Sequence, residues 1–376
     1  MINIIVNDPS AVDGGALLIL KDLLNKVIER CNNGVMWYVF VSKKELVGEY
    51  EGYKCLKVIY VNAKPWRNRL IWDTFGIKSW LRKHSIKPDV GVSLMSVGIP
   101  FLDIPQVVYI HQSLPFGDFN NFKCFELKAR LYKKLIYTYM KFSIRKNRSI
   151  VIVQTNWMKD AVSRKLKIAR DRIIVIPPII SVKDYEPYEV TFNGSNILLF
   201  YPAIPRTSYK NHELLIKALK CVKVTDNSFY KKLKVVFTFN PKDNMLTKYY
   251  FKLAEKLEVN DIIDYVGYLS KKELVTMYQR SSLILFPSLL ETFGLPLLEA
   301  AHFGKPIFVM DKPYSHDVLE DYKDCVKFLP NNPEIWANEI INFDYGKKCC
   351  PIKYEREIHQ DIIDIIYEAP KILSKS

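Results

Sequence analysis

Short β-branched runs alternate with longer stretches of helical periodicity from one end of the chain to the other. Apolar runs of about four to eight residues read as buried strands, and apolar positions recurring every three or four residues read as one face of a helix. The first half predicts strands at Ile2–Val6, Met36–Val41, Lys57–Val61, Val90–Ser93, Gln106–Ile110, Ile150–Gln154 and Ile173–Ile176, with helices near 16–30, 66–84, 127–146 and 156–167. A second series predicts strands near 197–201, 233–238, 263–266, 282–286 and 306–309, with helices near 211–222, 246–257, 271–279, 296–303 and 333–342. Such alternation is the pattern of repeated βαβ units around mostly parallel sheets, so the class is α/β.

Between the two series stands Pro177-Pro178-Ile179-Ile180-Ser181. Proline fixes φ and cannot donate to a sheet ladder, which makes this a linker and hinge. The organisation that follows is a doubly wound domain over 1–178, a second over 179–352, and a tail over 353–376. In the tail Ile358, Ile362, Ile365 and Ile366 share one side of a helix expected to pack back on the first domain. Doubly wound sheets bind ligands outside the carboxyl ends of their strands, so two of them facing a central cleft place the site there.

Length and composition agree with this picture. The chain has 376 residues, room for two or three domains at roughly 100–200 residues each. With 49% hydrophobic and 25% charged residues it is neither disordered nor a disulfide scaffold. No stretch reaches the roughly 18 apolar residues of a spanning helix. Met1 to Pro9 lacks a basic leader and its apolar segment ends at Asn7 and Asp8, so it reads as a strand rather than a signal peptide and points to a cytoplasmic protein. Seven scattered cysteines without a C-x-x-C pair are expected to be reduced and structural. The charge is less ordinary: 55 Lys and Arg against 40 Asp and Glu leave +15.

The richest chemistry lies in Phe286-Pro287-Ser288-Leu289-Leu290-Glu291-Thr292-Phe293-Gly294-Leu295-Pro296-Leu297-Leu298-Glu299. It runs from a buried strand into a helix, with Pro296 suited to the first turn. The amides of Gly294, Leu295 and Leu297 are then expected at a helix N-terminus, where free donors and partial positive charge suit a phosphate. Glu291 and Glu299 flank that anion site and would repel a diphosphate, so they are expected to face neutral hydroxyls of a sugar or ribose; on spacing alone they could equally serve only to favour the helix. A second strand runs through Phe200-Tyr201-Pro202 into a loop carrying Arg206 and Lys210, cations that would offset charge on a departing diphosphate.

These segments, with Tyr265-Val266-Gly267-Tyr268-Leu269, Lys272-Glu273-Leu274, Tyr278 and Gly304-Lys305-Pro306-Ile307, resemble nucleotide-sugar-dependent glycosyltransferases of the GT-B fold, retaining family 4. The resemblance implies that Glu299 binds the donor ribose and Glu291 the transferred sugar. It assigns the amides of Phe293, Gly294 and Leu295 to the sugar and diphosphate, and the backbone around Tyr268 and Leu269 to the base. Lys210 matches the family's phosphate lysine, although Asn211 follows where glycine is usual. Arg206 stands two to three residues beyond the family's arginine position and is its substitute. Gly14-Gly15, after the first strand, would face the diphosphate and acceptor, and His111, at the end of the strand Gln106–Ile110, would lie near the transferred sugar. The family retains anomeric configuration, which implies front-side attack assisted by the leaving phosphate.

No D-x-D motif occurs in the chain, so cations and helix amides are expected to neutralise the diphosphate without a metal and without a prosthetic group. Basic residues concentrate in 64–87, together with Trp66, Trp72, Phe75 and Trp80, and in 121–150, where nine Lys and Arg stand against Glu126. Leu127, Leu131, Leu135, Tyr139 and Phe142 form a stripe on the latter helix, which reads either as core or as a face for an anionic membrane. The partners expected are a nucleotide diphosphate sugar and a saccharide acceptor on a polyprenyl diphosphate lipid, as in O-antigen or capsule assembly, at the inner face of the plasma membrane. The competing classes are a GT-B enzyme acting on nucleic acid, which no recognised motif supports, a sugar-nucleotide epimerase or phosphorylase, and a non-catalytic donor-binding scaffold.

Overall fold

A computed structural model of the chain describes residues 1–12, 14–63, 66–117, 126–178, 182, 184–186, 197–352 and 361–374, with the side chains of 66–67 and 126–133 outside that description. The hinge segment 179–181, most of 184–195 and the start of the tail at 353–360 therefore fall largely outside it. The described residues form two compact units, one from 1–117, 126–178 and 361–374, the other from those within 182–352.

The first unit is built on β1 (Ile2–Asp8), β2 (Val35–Val41), β3 (Leu56–Tyr60), β4 (Val90–Ser93), β5 (Gln106–Tyr109), β6 (Ile150–Val153) and β7 (Ile173–Val175). Their order is β3-β2-β1-β4-β5-β6-β7 and every pairing is parallel. Successive residues of a strand point to opposite faces. Ile4 and Val6 accordingly join Leu20, Leu23, Leu24 and Val27 of the helix Gly14–Glu29. Ile5 faces the other way, against Phe40, Ile77 and Leu81. Both faces are covered, as a parallel sheet requires.

The terminal helix Ile362–Ser374 belongs to this unit. Ile362, Ile363, Ile365 and Ile366 are buried in the same core as the first helix. Arg30 reaches Asp364 at 2.7 Å and Asp361 at 3.4 Å, and Tyr367 meets the edge of Trp37.

The single helix expected over 66–84 is interrupted. It is α-helical at Trp66–Ile71, a π turn at Trp72–Gly76, and α-helical again at Ile77–Lys83. Gly76 makes room for the Trp72 ring, since a Cβ there would lie 2.4 Å from it. Trp72 and Trp80 both pack edge-on against Phe40, so these aromatics of the basic cluster face the sheet rather than solvent.

The second unit holds β8 (Ile197–Tyr201), β9 (Leu233–Phe237), β10 (Ile263–Tyr265), β11 (Leu283–Phe286), β12 (Ile307–Met310) and β13 (Val326–Leu329), all parallel in the order β10-β9-β8-β11-β12-β13. β13 and the short helix Pro313–Val318 were not signalled by periodicity, because segments of four and six residues carry too little of it. The strand order reverses between β1 and β4 and between β8 and β11, and ligands of such sheets bind at these switch points.

The cysteine expectation is corrected. Cys31 is bonded to Cys55 and Cys325 to Cys349, while Cys221 and Cys350 are free. Folding brings the Cα atoms of the two pairs to 5.8 and 5.9 Å, within bonding range, although each pair is 24 residues apart in the chain.

Candidate active site

β8 and β11 are neighbours at the switch point, so the loops leaving them emerge side by side. The β11 loop passes through Pro287 to Gly294 and enters the helix Leu295–His302. Gly294 caps that helix at φ 95°, a left-handed conformation costly for other residues. A Cβ there would also stand 3.2 Å from Leu297. Pro296 occupies the first turn, where no partner for its nitrogen is needed. The Leu297 amide is not available to a ligand as expected, because it donates to the Gly294 carbonyl at 2.8 Å. The turn closed by that bond draws the amide inward. Phe293 is buried, anchoring the loop just before the cap.

The β8 loop supplies the cation. Lys210 Nζ donates to Glu291 Oε1 at 2.5 Å, with both side chains mostly enclosed. Two further contacts hold this pair in place. The buried Tyr201 hydroxyl donates to the Lys210 carbonyl at 2.6 Å, and Leu289 N donates to the Tyr209 carbonyl at 2.8 Å, stapling one loop to the other. Asn211 sits at φ 59°, which explains why asparagine can stand where glycine is usual: it tolerates the left-handed region. Its side chain also donates to the Pro287 carbonyl at 3.2 Å, a third link between the loops. Arg206 is exposed on the same β8 loop.

Glu299 lies in the helix after Gly294, 5% exposed, and accepts from the Tyr278 hydroxyl at 2.8 Å. Burial, then the Glu299 charge, raises Tyr278 far above its ordinary range, so the phenol stays a donor that fixes the carboxylate. Tyr268 is 83% exposed beside Gly267, with Leu269 half-buried next to it, on the loop that follows β10. Ser270 and Glu273 cap the helix Lys271–Arg280 and so set where that loop ends.

His212, a residue that motif reading passed over, organises the β8 loop from below. It is fully buried among Tyr201, Phe237, Phe239 and Tyr250, and burial lowers its pKa to about 3. The ring is neutral at ordinary pH, so its Nε2 donates to the Ala203 carbonyl at 3.1 Å.

The remaining candidates belong to the first unit. Gly14 opens its helix at φ 60°, and neither Gly14 nor Gly15 has an atom within 4 Å of where a Cβ would stand, so the pair leaves open space after β1. His111 follows β5, its amide donating to Ser96 Oγ at 3.2 Å. Burial, helped by the Arg69 charge, lowers its pKa to about 4, and its Nδ1 is enclosed without a partner among the described residues.

Two family models match the chain: glycosyl transferases group 1 over residues 184–344, and glycosyltransferase family 4 over residues 33–184. The O-antigen chain mannosyltransferase RfbU of Salmonella typhimurium is 23% identical, across 64% of this chain and 61% of its own length. A D-inositol 3-phosphate glycosyltransferase of Streptosporangium roseum is 25% identical across 46% of this chain and 42% of its own. The matches thus span less than two thirds of these curated relatives. Among solved structures, WaaG, a glycosyltransferase involved in lipopolysaccharide biosynthesis, superposes with a TM-score of 0.63 at 16% identity, covering 100% of this chain and 99% of that one. Anabaena HepE in complex with UDP-glucose does so with a TM-score of 0.64 at 16% identity, covering 100% and 95%. These likenesses identify the fold as GT-B, two parallel-sheet α/β domains in tandem.

Proposed function

The chain belongs to the glycosyltransferases of group 1 and family 4 that its two halves match, and from that premise we propose that it is a retaining enzyme. It moves a hexose or deoxyhexose from a nucleotide diphosphate sugar to a saccharide acceptor on a polyprenyl diphosphate lipid, in cell-surface polysaccharide assembly. The observation that carries the reading is Lys210 held 2.5 Å from Glu291 at the β8/β11 switch point, beside the helix that starts at Leu295.

The pair does two things. A diphosphate arriving at the helix N-terminus offers Lys210 a stronger anion, and Glu291, released from the ammonium, accepts from hydroxyls of the transferred sugar. As the sugar–phosphate bond breaks, charge grows on the diphosphate, where Lys210, Arg206 of the same loop and the amides at Phe293 to Leu295 lower the barrier. Glu299, already aligned by Tyr278, accepts from the ribose hydroxyls. Tyr268 and Leu269 take the base. The acceptor hydroxyl oxygen attacks the anomeric carbon on the face the diphosphate leaves and passes its proton to the departing phosphate oxygen, with no covalent adduct to Glu291, and no divalent metal is needed. The names of RfbU and WaaG support the surface-polysaccharide assignment.

Membrane contact is supported by the first unit's surface. Leu135 and Phe142 of the helix Glu126–Lys146 are 60% and 49% exposed, while Met140 and Ile144 take its core face. Phe75 stacks on Phe101 at 6.3 Å, and Lys146 lies over Phe101 at 4.3 Å, so exposed rings and cations share one surface. Side chains 126–133 of that helix are outside the described set. No described helix is long and apolar enough to cross a membrane.

The test is to screen labelled nucleotide sugars for slow hydrolysis by the purified full chain. One donor should be turned over in the presence of EDTA, and Lys210→Ala should lower that rate by roughly 10²–10³-fold. No hydrolysis of any donor, or strict dependence on Mn²⁺ or Mg²⁺, overturns the corresponding part of the reading.

A further inference from the structure

Glu291 stands two residues beyond a peptide plane that is held at both of its polar ends. Ser288 and Leu289 share that plane. The Ser288 carbonyl accepts from the Tyr314 hydroxyl at 2.6 Å, and the Leu289 amide donates to the Tyr209 carbonyl at 2.8 Å. A peptide is planar, so fixing its oxygen and its nitrogen fixes the direction in which the chain leaves it toward Glu291.

The two holds come from the strands on either side of β11. Tyr209 belongs to the β8 loop, and Tyr314 to the helix Pro313–Val318 that follows β12. Local chemistry puts Tyr314 there: Pro313 opens the short helix, and the buried Ser315 hydroxyl donates to the Met310 carbonyl at 2.8 Å, tying the helix to the end of its own strand. The Tyr314 ring is buried against Phe286, edge-on with centroids 6.3 Å apart, and its Cδ2 lies 3.6 Å from where a Cβ on Gly294 would stand. One side chain thus touches the start of the Glu291 loop through its hydroxyl and the end through its ring.

The cation opposite has a matching support. The Lys210 carbonyl accepts from Tyr201, and the Asn211 amide of the same peptide donates to the Ser208 carbonyl at 3.0 Å. Tyr201 also packs edge-on against Phe286, at 5.7 Å. Burial, then the Glu291 charge, holds both phenols well above their ordinary range, so both stay protonated and donate. Ser288 is fully buried, and a buried carbonyl that loses its donor is left unsatisfied, which makes this a stiff support.

We propose that Tyr314 is a positioning residue of the donor site: its hydroxyl, through the Ser288–Leu289 peptide, sets the placement of Glu291 against the transferred sugar. The clamp stands on the geometry alone, and what Glu291 then does rests on the transferase reading.

The experiment uses the full chain and Tyr314→Phe, which keeps the ring against Phe286 and Gly294 and removes only the hydroxyl. Without ligand, hydrogen exchange at the Leu289 amide should accelerate about tenfold, with β1 and β2 unchanged. With the nucleotide sugar that the hydrolysis screen identifies, kcat should fall by roughly 10–100-fold, since small misplacements of a positioned group cost that much. The Kd of the free nucleoside diphosphate, which lacks the sugar that Glu291 meets, should stay within about twofold. Loss of hydrolysis and of diphosphate binding by the same factor marks a merely structural role, and that result, or an unchanged exchange rate at Leu289, overturns the assignment. An ortho-fluorotyrosine in place of Tyr314 has a more acidic hydroxyl, donates more strongly and should slow the same exchange, which keeps the test decisive if Tyr314→Phe does not fold. If the unaltered chain hydrolyses no donor, the transferase reading fails while exchange still decides the clamp; an unmoved Leu289 amide with hydrolysis intact in the unaltered chain sinks the clamp alone.

Discussion

Gly294 shows how one residue's backbone freedom carries a site. Held at φ 95° with Leu297 only 3.2 Å from a prospective Cβ, it cannot be replaced without moving the start of the helix proposed to meet the donor phosphates. Gly294→Ala should destabilise the second unit by about 1–2 kcal/mol and reduce donor hydrolysis; thermal unfolding and the hydrolysis assay measure the two effects. His212 acts through protonation instead. Its pKa is about 3 in the folded protein against the usual 6.5, so the unfolded chain takes up a proton that the native ring refuses. The stability it contributes is complete above about 6.5 and is lost progressively as pH falls toward 3. Hydrogen exchange in the helix His212–Thr225 should accelerate over that window, and His212→Leu should remove the acid sensitivity at some cost from the lost bond to Ala203. Glu291 and Glu299 stand out in the chain as candidates through a strand-to-helix loop with Gly and Pro in register, and Lys210 through the resemblance to the family. His212 does not, since burial creates its chemistry and local spacing says nothing of it.

At the scale of elements, the terminal helix tests how far one amphipathic face governs stability. Four isoleucines of Ile362–Ser374 are buried beside Leu20, Leu24 and Trp37, at the far end of the chain from β1 and β2. Ile366→Ala should cost about 2–5 kcal/mol, read as a lower denaturation midpoint with hydrogen exchange accelerated in β1 and β4. The helical spacing of Ile362, Ile365 and Ile366 is plain in the chain, as is that of most helices, whereas burial of Ile363 is not. The break at Trp72–Gly76 was hidden, because the period of the flanking turns continues across it and only packing of Trp72 under Phe40 requires the wider turn. The basic helix Glu126–Lys146 was ambiguous for a related reason: its apolar residues extend around more than one face, and only burial of Met140 and Ile144 shows which face is left to Leu135 and Phe142.

For the molecule as a whole, the surplus of +15 now has two destinations. In the proposed function Lys210 and Arg206 serve the donor, and Lys146, over Phe101 and Phe142, serves a membrane surface. The protein should float with anionic vesicles and not with neutral ones, since each cation near an anionic surface contributes about 1 kcal/mol. Phe75→Ser with Phe101→Ser should reduce flotation, and indifference to both lipid charge and these substitutions would refute membrane contact. By itself the sequence determined the α/β class, the tandem of βα units and the loop that turns at Gly294 into a helix, because periodicity, proline and glycine act on neighbours along the chain. Tertiary structure alone decided that Lys210 meets Glu291, that Cys31 is bonded to Cys55 and Cys325 to Cys349, and that His212 is sealed among aromatic rings. Each of these joins residues whose approach depends on strand order, and strand order is settled only when both faces of a sheet are buried at once.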